Sequence, residues 1–136
     1  MVQIQFEYSG ELRCKATHGP SSTQVITDAP VDNCGRGESF SPTDLVATAL
    51  GACMLTIMGI VADKRGWDIT GAKATVEKGM QQSPVRRIAS LGVKLSLPAA
   101  IEPDARRVLE AAAKNCPVWH SLNPDIQLPV SFVWHE

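Results

Sequence analysis

The sequence has few aromatic residues and almost no net charge, and each shortage excludes a class of function. Phe, Trp and Tyr make up only 5% of the 136 residues, so most of the core must come from aliphatic side chains. The 13 Lys and Arg residues are balanced by 14 Asp and Glu residues. A nucleic-acid-binding surface or a polybasic membrane anchor needs an excess of positive charge, which is lacking here. The composition and length predict one globular domain over residues 1–136.

The chain also lacks a secretory signal at its start and the common cysteine motifs. Residues 1–8 alternate polar and apolar side chains and contain no basic stretch followed by an apolar block, so we expect a cytoplasmic protein. In that compartment Cys14, Cys34, Cys53 and Cys116 are expected as thiols or redox-active pairs rather than structural disulfides. No CxxC pair and no four-ligand Cys/His pattern is present, so neither a thioredoxin-type site nor a metal site is expected.

Alternating polar and apolar residues predict six strands and thus a sheet-rich fold. The predicted strands cover residues 2–8, 12–16, 23–27, 69–80, 86–97 and 126–134. Ser9-Gly10 is expected to form the turn between the first two. In the fifth strand Leu91, Val93, Leu95 and Leu97 share one face, which we expect to be buried.

Two helices are predicted between these strands. The first begins with a capping box, in which Ser41 and Asp44 bond each other's backbone amides and Pro42 takes the first helical position. It is expected to run to Arg65 and to stop at Gly66. The second helix begins at Pro103. The resulting order, βββ-α-ββ-α-β, is an α+β fold with antiparallel sheets around a long central helix.

The first helix carries 18 consecutive uncharged residues, Leu45 to Ala62. That length is near the lower limit for a membrane span, but the segment is as rich in Ala, Gly and Thr as in Leu and Ile. We therefore expect a buried central helix. A helix that is apolar on every side needs cover on every side, and a second subunit can supply it. The sequence thus predicts an isologous homodimer.

Two cysteine-containing segments resemble the motifs of a known family. Residues 41–53, SPTDLVATALGAC, and residues 115–118, NCPV, are similar to the two signatures of the OsmC/Ohr family, the osmotically inducible and organic-hydroperoxide-resistance proteins. The two cysteines are 63 positions apart, and the resemblance extends over essentially the whole chain. It implies an intertwined homodimer with active sites at the subunit interface. It implies no metal and no organic cofactor.

The same resemblance implies a thiol-dependent peroxidase acting on organic hydroperoxides. Cys53 matches the cysteine that attacks the peroxide and becomes a sulfenic acid. Cys116 matches the cysteine that condenses with it to a disulfide, which an external dithiol then reduces. The plainer alternative stays open, because free cysteines are among the most buried residues and both could simply pack in an alanine-rich core.

The attacking thiol needs an activating cation, and here the chain departs from its relatives. A thiol buried among apolar side chains has a raised pKa and is inert. In the hydroperoxide-resistance branch an arginine from the strand region and a glutamate at the helix start activate the cysteine. This chain has Thr43 at the glutamate position and Thr27-Asp28 near the arginine position.

Residues in the loop before the first helix could replace the missing pair. Arg36 could approach Cys53, with Glu38 or Asp44 orienting its guanidinium. The alternative is that Arg36 and Glu38 are solvated charges on a glycine-rich loop. Because the usual pair is missing, a second function also stays open: a non-enzymatic protein that binds a small hydrophobic or thiol ligand at the dimer interface.

Overall fold

A computed structural model describes residues 1–135 and contains six strands and three α-helices. The strands are β1 (Ile4–Gly10), β2 (Arg13–His18), β3 (Gln24–Asp28), β4 (Lys73–Gln81), β5 (Arg87–Leu97) and β6 (Val130–Trp134). The helices are α1 (Pro42–Arg65), α2 (Pro103–Ala113) and α3 (Pro117–Ser121), and a short 3-10 helix covers Val31–Asn33. The predicted α+β class is confirmed. The chain contacts divide into two compact units, residues 1–46 and the remainder from Ala47.

The first unit contains an antiparallel sheet in the order β1-β2-β3. The turn between β1 and β2 lies at Glu11 and Leu12, both with positive φ, rather than at the predicted Ser9-Gly10. Strand β1 continues through Gly10, which moves the turn two residues along the chain. The Tyr8 hydroxyl accepts a hydrogen bond from the Leu12 amide at 3.2 Å and so holds this tight connection.

Strand β1 carries large apolar side chains that are exposed to solvent in the single chain. Ile4, Phe6 and Tyr8 have exposed fractions of 51%, 68% and 64%. The alternation of the sequence predicted that these residues share a face, but a half-buried strand was expected. Three adjacent uncovered side chains of this size are typical of a surface that another protein covers.

Helix α1 begins and ends as the sequence predicts. The Asp44 amide donates to the Ser41 hydroxyl at 3.1 Å, and the Ser41 amide donates to the Asp44 carboxylate at 2.9 Å. Both bonds satisfy donors at the helix start that have no partner within the helix. At the other end Gly66 adopts φ +74°, a left-handed conformation that glycine takes without strain.

The second unit contains a sheet in the order β4-β5-β6, and the pairing of β5 with β6 is parallel. The prediction of antiparallel sheets is therefore wrong for β6, which pairs with β5 in parallel. Parallel neighbours need a long crossover, and residues 98–129, which include α2 and α3, supply it. Strand β6 is also shorter than predicted. Gln127 forms only an isolated bridge with Ser90, and Pro129 has no amide to donate to a ladder.

The core of the second unit lies between the inner face of this sheet and helices α1 and α2. As predicted, the alternate apolar residues of β5 are buried. The fully buried side chains include Leu50, Met54, Met58, Leu91, Leu95, Leu97 and Leu109. A Cβ on Gly51 would lie 2.9 Å from Val76 Cγ2, so the missing side chain lets α1 approach β4 closely.

One side of helix α1 is not covered by the chain itself. The exposed residues on it are Thr48, Ala49, Ala52, Thr56 and Ile60. Only 33% of its most apolar 18-residue window is buried. By length and composition the helix could cross a membrane, although the core helices of soluble proteins pass the same test. The expectation of a fully buried helix is not met within a single chain.

Candidate functional site

Cys53 and Cys116, which are 63 positions apart in the sequence, meet in the second unit. Cys53 lies midway along α1 and is half-buried, and Cys116 follows α2 and has no exposed surface. Cys53 lies close enough to Cys116 to raise the pKa of the Cys116 thiol. Both are free thiols. The structure thus places the two thiols as neighbours.

Cys116 is the N-cap residue of α3. Its backbone is extended, with φ −85° and ψ 151°, and its sulfur accepts a hydrogen bond from the Trp119 amide at 3.3 Å. Pro117 takes the first helical position, where its missing N–H is not needed. The interruption between α2 and α3 therefore places the Cys116 sulfur within hydrogen-bond distance of the Trp119 backbone N–H.

Opposing effects act on the Cys116 thiol. Burial is the largest effect and raises its pKa, the hydrogen bond from the Trp119 amide lowers it, and the neighbouring Cys53 raises it again. The net direction of the pKa is upward, because burial disfavours the charged thiolate. The environment of Cys116 therefore favours the thiol over the thiolate.

Contacts between α2 and β6 hold the segment that carries Cys116. The Trp134 indole N–H donates to the Glu110 carboxylate at 3.0 Å, and the Arg106 guanidinium lies 5.2 Å from the centre of the same ring system. Lys114 lies 5.9 Å from the centre of the Phe132 ring. These contacts fix the end of α2, from which the cysteine follows directly.

A cluster of three charged residues lies in the first unit. The Arg13 guanidinium donates to the Glu38 carboxylate at 2.8 Å and lies 3.6 Å from an oxygen of Asp28. The Glu38 amide donates to that same Asp28 oxygen at 3.0 Å. The hydrogen bond to Glu38 is the main cause that raises the pKa of Arg13. Arg13 is thus held as a fixed cation by two carboxylates.

Two polar atoms of this cluster are buried without a partner among the described residues, the Arg13 Nε and the Asp28 Oδ1. Asp28 is only 1% exposed. A buried polar atom without a hydrogen bond costs free energy, on the order of 1–3 kcal/mol. Such atoms are rare in folded proteins and require an explanation. The cluster is therefore a second candidate functional feature of the chain.

The residues predicted to activate Cys53 do not pair as expected. Glu38 bonds Arg13, whereas Arg36 makes its ion pair with Glu11 at 3.8 Å. The Arg36 and Glu11 side chains are 60% and 69% exposed, and an exposed pair of this kind contributes little. Asp44 bonds the Ser41 amide as part of the helix cap. The contacts of Glu38 and Arg36 thus lead to different partners, and the activating role of Arg36, oriented by Glu38 or Asp44, stays a prediction.

The sequence reasoning missed Arg13. In the predicted strand Leu12, Cys14 and Ala16 formed the apolar face, which left Arg13 on the face assigned to solvent. Only the structure shows that Arg13 lies directly opposite Asp28 in the β2–β3 register, where opposite charges attract.

The remaining cysteines belong neither to the Cys53–Cys116 pair nor to the charged cluster around Arg13. Cys34 is exposed in the loop before α1 and has φ +71°, and Cys14 is half-buried in β2. Within residues 1–135 no group of three or more His, Cys, Asp or Glu side chains is placed to hold a metal ion.

Comparison with known proteins links the whole chain to one family. The family model for OsmC-like protein matches residues 35–131, which include both cysteine segments. A search of curated proteins finds no significant match.

Solved structures resemble the chain over nearly its full length. One from Psychrobacter arcticus 273-4 is 41% identical, with a TM-score of 0.91, and the match covers 99% of this chain and 96% of that one. Its provisional name is osmotic stress induced and detoxification response protein. An OsmC-like protein from Mycoplasma pneumoniae has 14% identity and a TM-score of 0.83, covering 100% and 98% of the two chains.

A third structure adds a functional name to the fold. An organic hydroperoxide resistance protein from Legionella pneumophila has 18% identity and a TM-score of 0.75, and the match covers 98% of this chain and 96% of that one. At this identity the likeness concerns the fold alone.

Proposed function

This chain belongs to the OsmC-like protein family, and we propose that it is a thiol-dependent peroxidase that reduces organic hydroperoxides through Cys53 and Cys116. The closeness of the two thiols, seen in the effect of Cys53 on the pKa of Cys116, is the observation that carries the proposal. The name of the Legionella pneumophila relative supports the choice of substrate class. A role in the cytoplasm and in the response to oxidative stress is part of the same proposal.

In the first chemical step the Cys53 thiolate attacks one oxygen of the hydroperoxide. The O–O bond breaks, the distal oxygen stays on sulfur as a sulfenic acid, and the alkoxide leaves and takes a proton to become the alcohol. Cys116 supports this step by donating its S–H to the attacking sulfur, because a hydrogen bond to a charged form stabilises that form. The raised pKa of Cys116 keeps the donating proton in place.

In the second step Cys116 attacks the sulfenic sulfur of Cys53. The new S–S bond displaces hydroxide, which leaves as water with the proton that Cys116 gives up. An external dithiol then reduces the disulfide and restores both thiols. Disulfide formation requires Cα atoms within about 7 Å, and the closeness of the two thiols is compatible with that approach.

The family resemblance implies a cation that favours the Cys53 thiolate, and Arg13 is the candidate that we propose ahead of Arg36. Arg13 is held by Asp28 and Glu38, and its buried Nε has no partner among residues 1–135. Arg36 is exposed and weakly paired.

Intact mass spectrometry after one equivalent of tert-butyl hydroperoxide tests the proposal. We expect the protein to lose the mass of two hydrogen atoms, because one disulfide forms and no oxygen is retained. Tryptic mapping should place the bond between Cys53 and Cys116. An unchanged mass in the folded, fully reduced protein would refute peroxidase activity toward this substrate.

The alternative is a non-enzymatic protein that binds a small hydrophobic or thiol ligand at the dimer interface. The observation that favours it is Thr43, whose uncharged side chain cannot replace the carboxylate of the active relatives. On this view the tert-butyl hydroperoxide experiment leaves the protein reduced, and a small thiol instead slows the alkylation of Cys53.

The protein is further proposed to be a homodimer, because two apolar surfaces are open in the single chain. They are the exposed side of α1 and the row Ile4, Phe6 and Tyr8 on β1. We expect light scattering at micromolar concentration to give twice the chain mass of 14.6 kDa. Phe6→Glu should shift the mass toward the monomer, because it places a charge in the buried interface, while Val85→Glu in the exposed β4–β5 turn should not. A wild-type mass of one chain would contradict the dimer.

A further inference from the structure

A shallow pocket of about 250 Å³ lies on the outward face of the β4-β5-β6 sheet. This face is opposite the one that packs on the helices, and neither thiol takes part in it. The six lining residues come from all three strands and from the residue that follows β6. They are Lys73, Thr75, Lys94, Ser96, Val133 and His135.

The strand register places positive charges close together in this pocket. Lys73 lies opposite Ser96, and Thr75 lies opposite Lys94, so the two lysines occupy diagonal positions on neighbouring strands. Diagonal neighbours lie roughly 7–8 Å apart at Cα, within reach of long side chains. Like charges at that separation repel. Among residues 1–135 no acidic side chain lines the pocket itself, and Glu77 at the other diagonal position from Lys94 offsets part of the charge of Lys94.

Polar donors surround the two ammonium groups. The backbone N–H of His135 donates to the Leu97 carbonyl at 3.0 Å, which holds His135 beside the end of β5. Its Nε2 is hydrogen-bonded to the Ser96 hydroxyl. With Thr75, the pocket therefore offers two hydroxyl groups, one imidazole and two ammonium groups.

From this arrangement we infer an anion site for a phosphoryl dianion, either free phosphate or the phosphate group of a small ester. Lysine binds phosphate as a point charge, and bonds between charged partners are stronger than those between neutral ones. The volume equals about eight water molecules at roughly 30 Å³ each, which leaves room for a phosphoryl group and a short organic chain. A bound dianion would remove the repulsion between Lys73 and Lys94.

Glu77 is the next residue of β4 after Thr75 on the outward face, and its carboxylate adds a negative charge to the neighbouring surface. Glu77 lines an adjoining pocket of about 540 Å³, which also includes Lys94. Its negative charge opposes a dianion bound beside Lys94. Glu77→Gln is therefore expected to tighten phosphate binding, by up to about sixfold for a dianion roughly 8 Å from the carboxylate in water without salt.

Titration of the reduced dimer with inorganic phosphate at constant ionic strength tests the inference. Backbone amide shifts in a ¹⁵N NMR spectrum should saturate and should map to residues 73–75, 94–96 and 133–135. Lys94→Gln should raise the fitted Kd by about tenfold, because one charge-assisted bond is lost. Lys73→Gln should also raise the Kd. Both side chains face solvent, so the fold is retained.

Lys64→Gln provides the matched control. Lys64 is an exposed lysine at the end of α1, and its substitution changes the net charge by the same amount. It should leave the Kd within twofold. Equal weakening by Lys64→Gln and Lys94→Gln, or shifts that do not saturate, would overturn the inference. Glycerol 3-phosphate distinguishes the two sources: tighter binding than phosphate points to a small ester, and equal binding points to the free ion.

Discussion

Cys53→Ser is expected to abolish the consumption of organic hydroperoxide, and Cys116→Ser is expected to allow a single turnover. Serine at position 53 removes the sulfur that accepts oxygen, so no intermediate can form. Serine at position 116 keeps a hydrogen-bond donor beside Cys53 but cannot form a disulfide. The first reaction therefore proceeds, and the sulfenic acid on Cys53 remains.

Single-turnover peroxide consumption with a dimedone trap measures both outcomes. One equivalent should disappear with Cys116→Ser, with dimedone attached to Cys53, and none with Cys53→Ser. Cys14→Ser and Cys34→Ser are the matched controls, because both remove a free thiol that takes no part in the pair. Loss of the first turnover in Cys53→Ser and Cys116→Ser alike would contradict the assigned roles.

Arg13→Gln is expected to slow the alkylation of Cys53 by iodoacetamide at neutral pH by about tenfold or more. An opposite charge within about 4–6 Å of a thiolate lowers the thiol pKa by roughly 1–3 units, so removing the proposed cation lowers the reactive fraction. The pH at which the alkylation rate reaches half its maximum should move upward. A Cys34→Ser background removes the exposed competing thiol.

Arg36→Gln is the matched control for charge and should leave the alkylation rate unchanged. Arg13→Lys separates a loss of charge from a loss of fold, since it keeps the cation beside the buried Asp28 and should retain part of the rate. Light scattering and circular dichroism check that each variant stays assembled. Slower alkylation in Arg36→Gln, with no effect of Arg13→Gln, would return the role to Arg36.

Much of the fold was predictable because its signals are local. The capping box at Ser41 and Asp44 and the stop at Gly66 each depend on a few adjacent residues, and all were confirmed. The parallel pairing of β6 was not, since alternation identifies a strand but does not specify which neighbour it joins or in which direction. The open face of β1 was also missed, because periodicity does not reveal whether the covering atoms belong to the same chain.

The candidate site was predictable only in part. The cysteine motifs came from the family resemblance, and the closeness of the two thiols depends on long-range packing that spacing along a chain does not encode. Arg13 was missed because a charge on the polar side of a strand is indistinguishable from a solvated one. Its contacts with Asp28 and Glu38 join residues from three separate segments.

The crossover between β5 and β6 has a consequence for how the protein is made. A ribosome synthesises β4 and β5 together, and this hairpin can form as soon as both strands are available. The parallel partner β6 follows only after residues 98–129, and it supplies the Trp134 and Phe132 contacts that fix α2. The nascent chain therefore cannot fix the end of α2, and with it the segment that carries Cys116, until Phe132 and Trp134 have been synthesised.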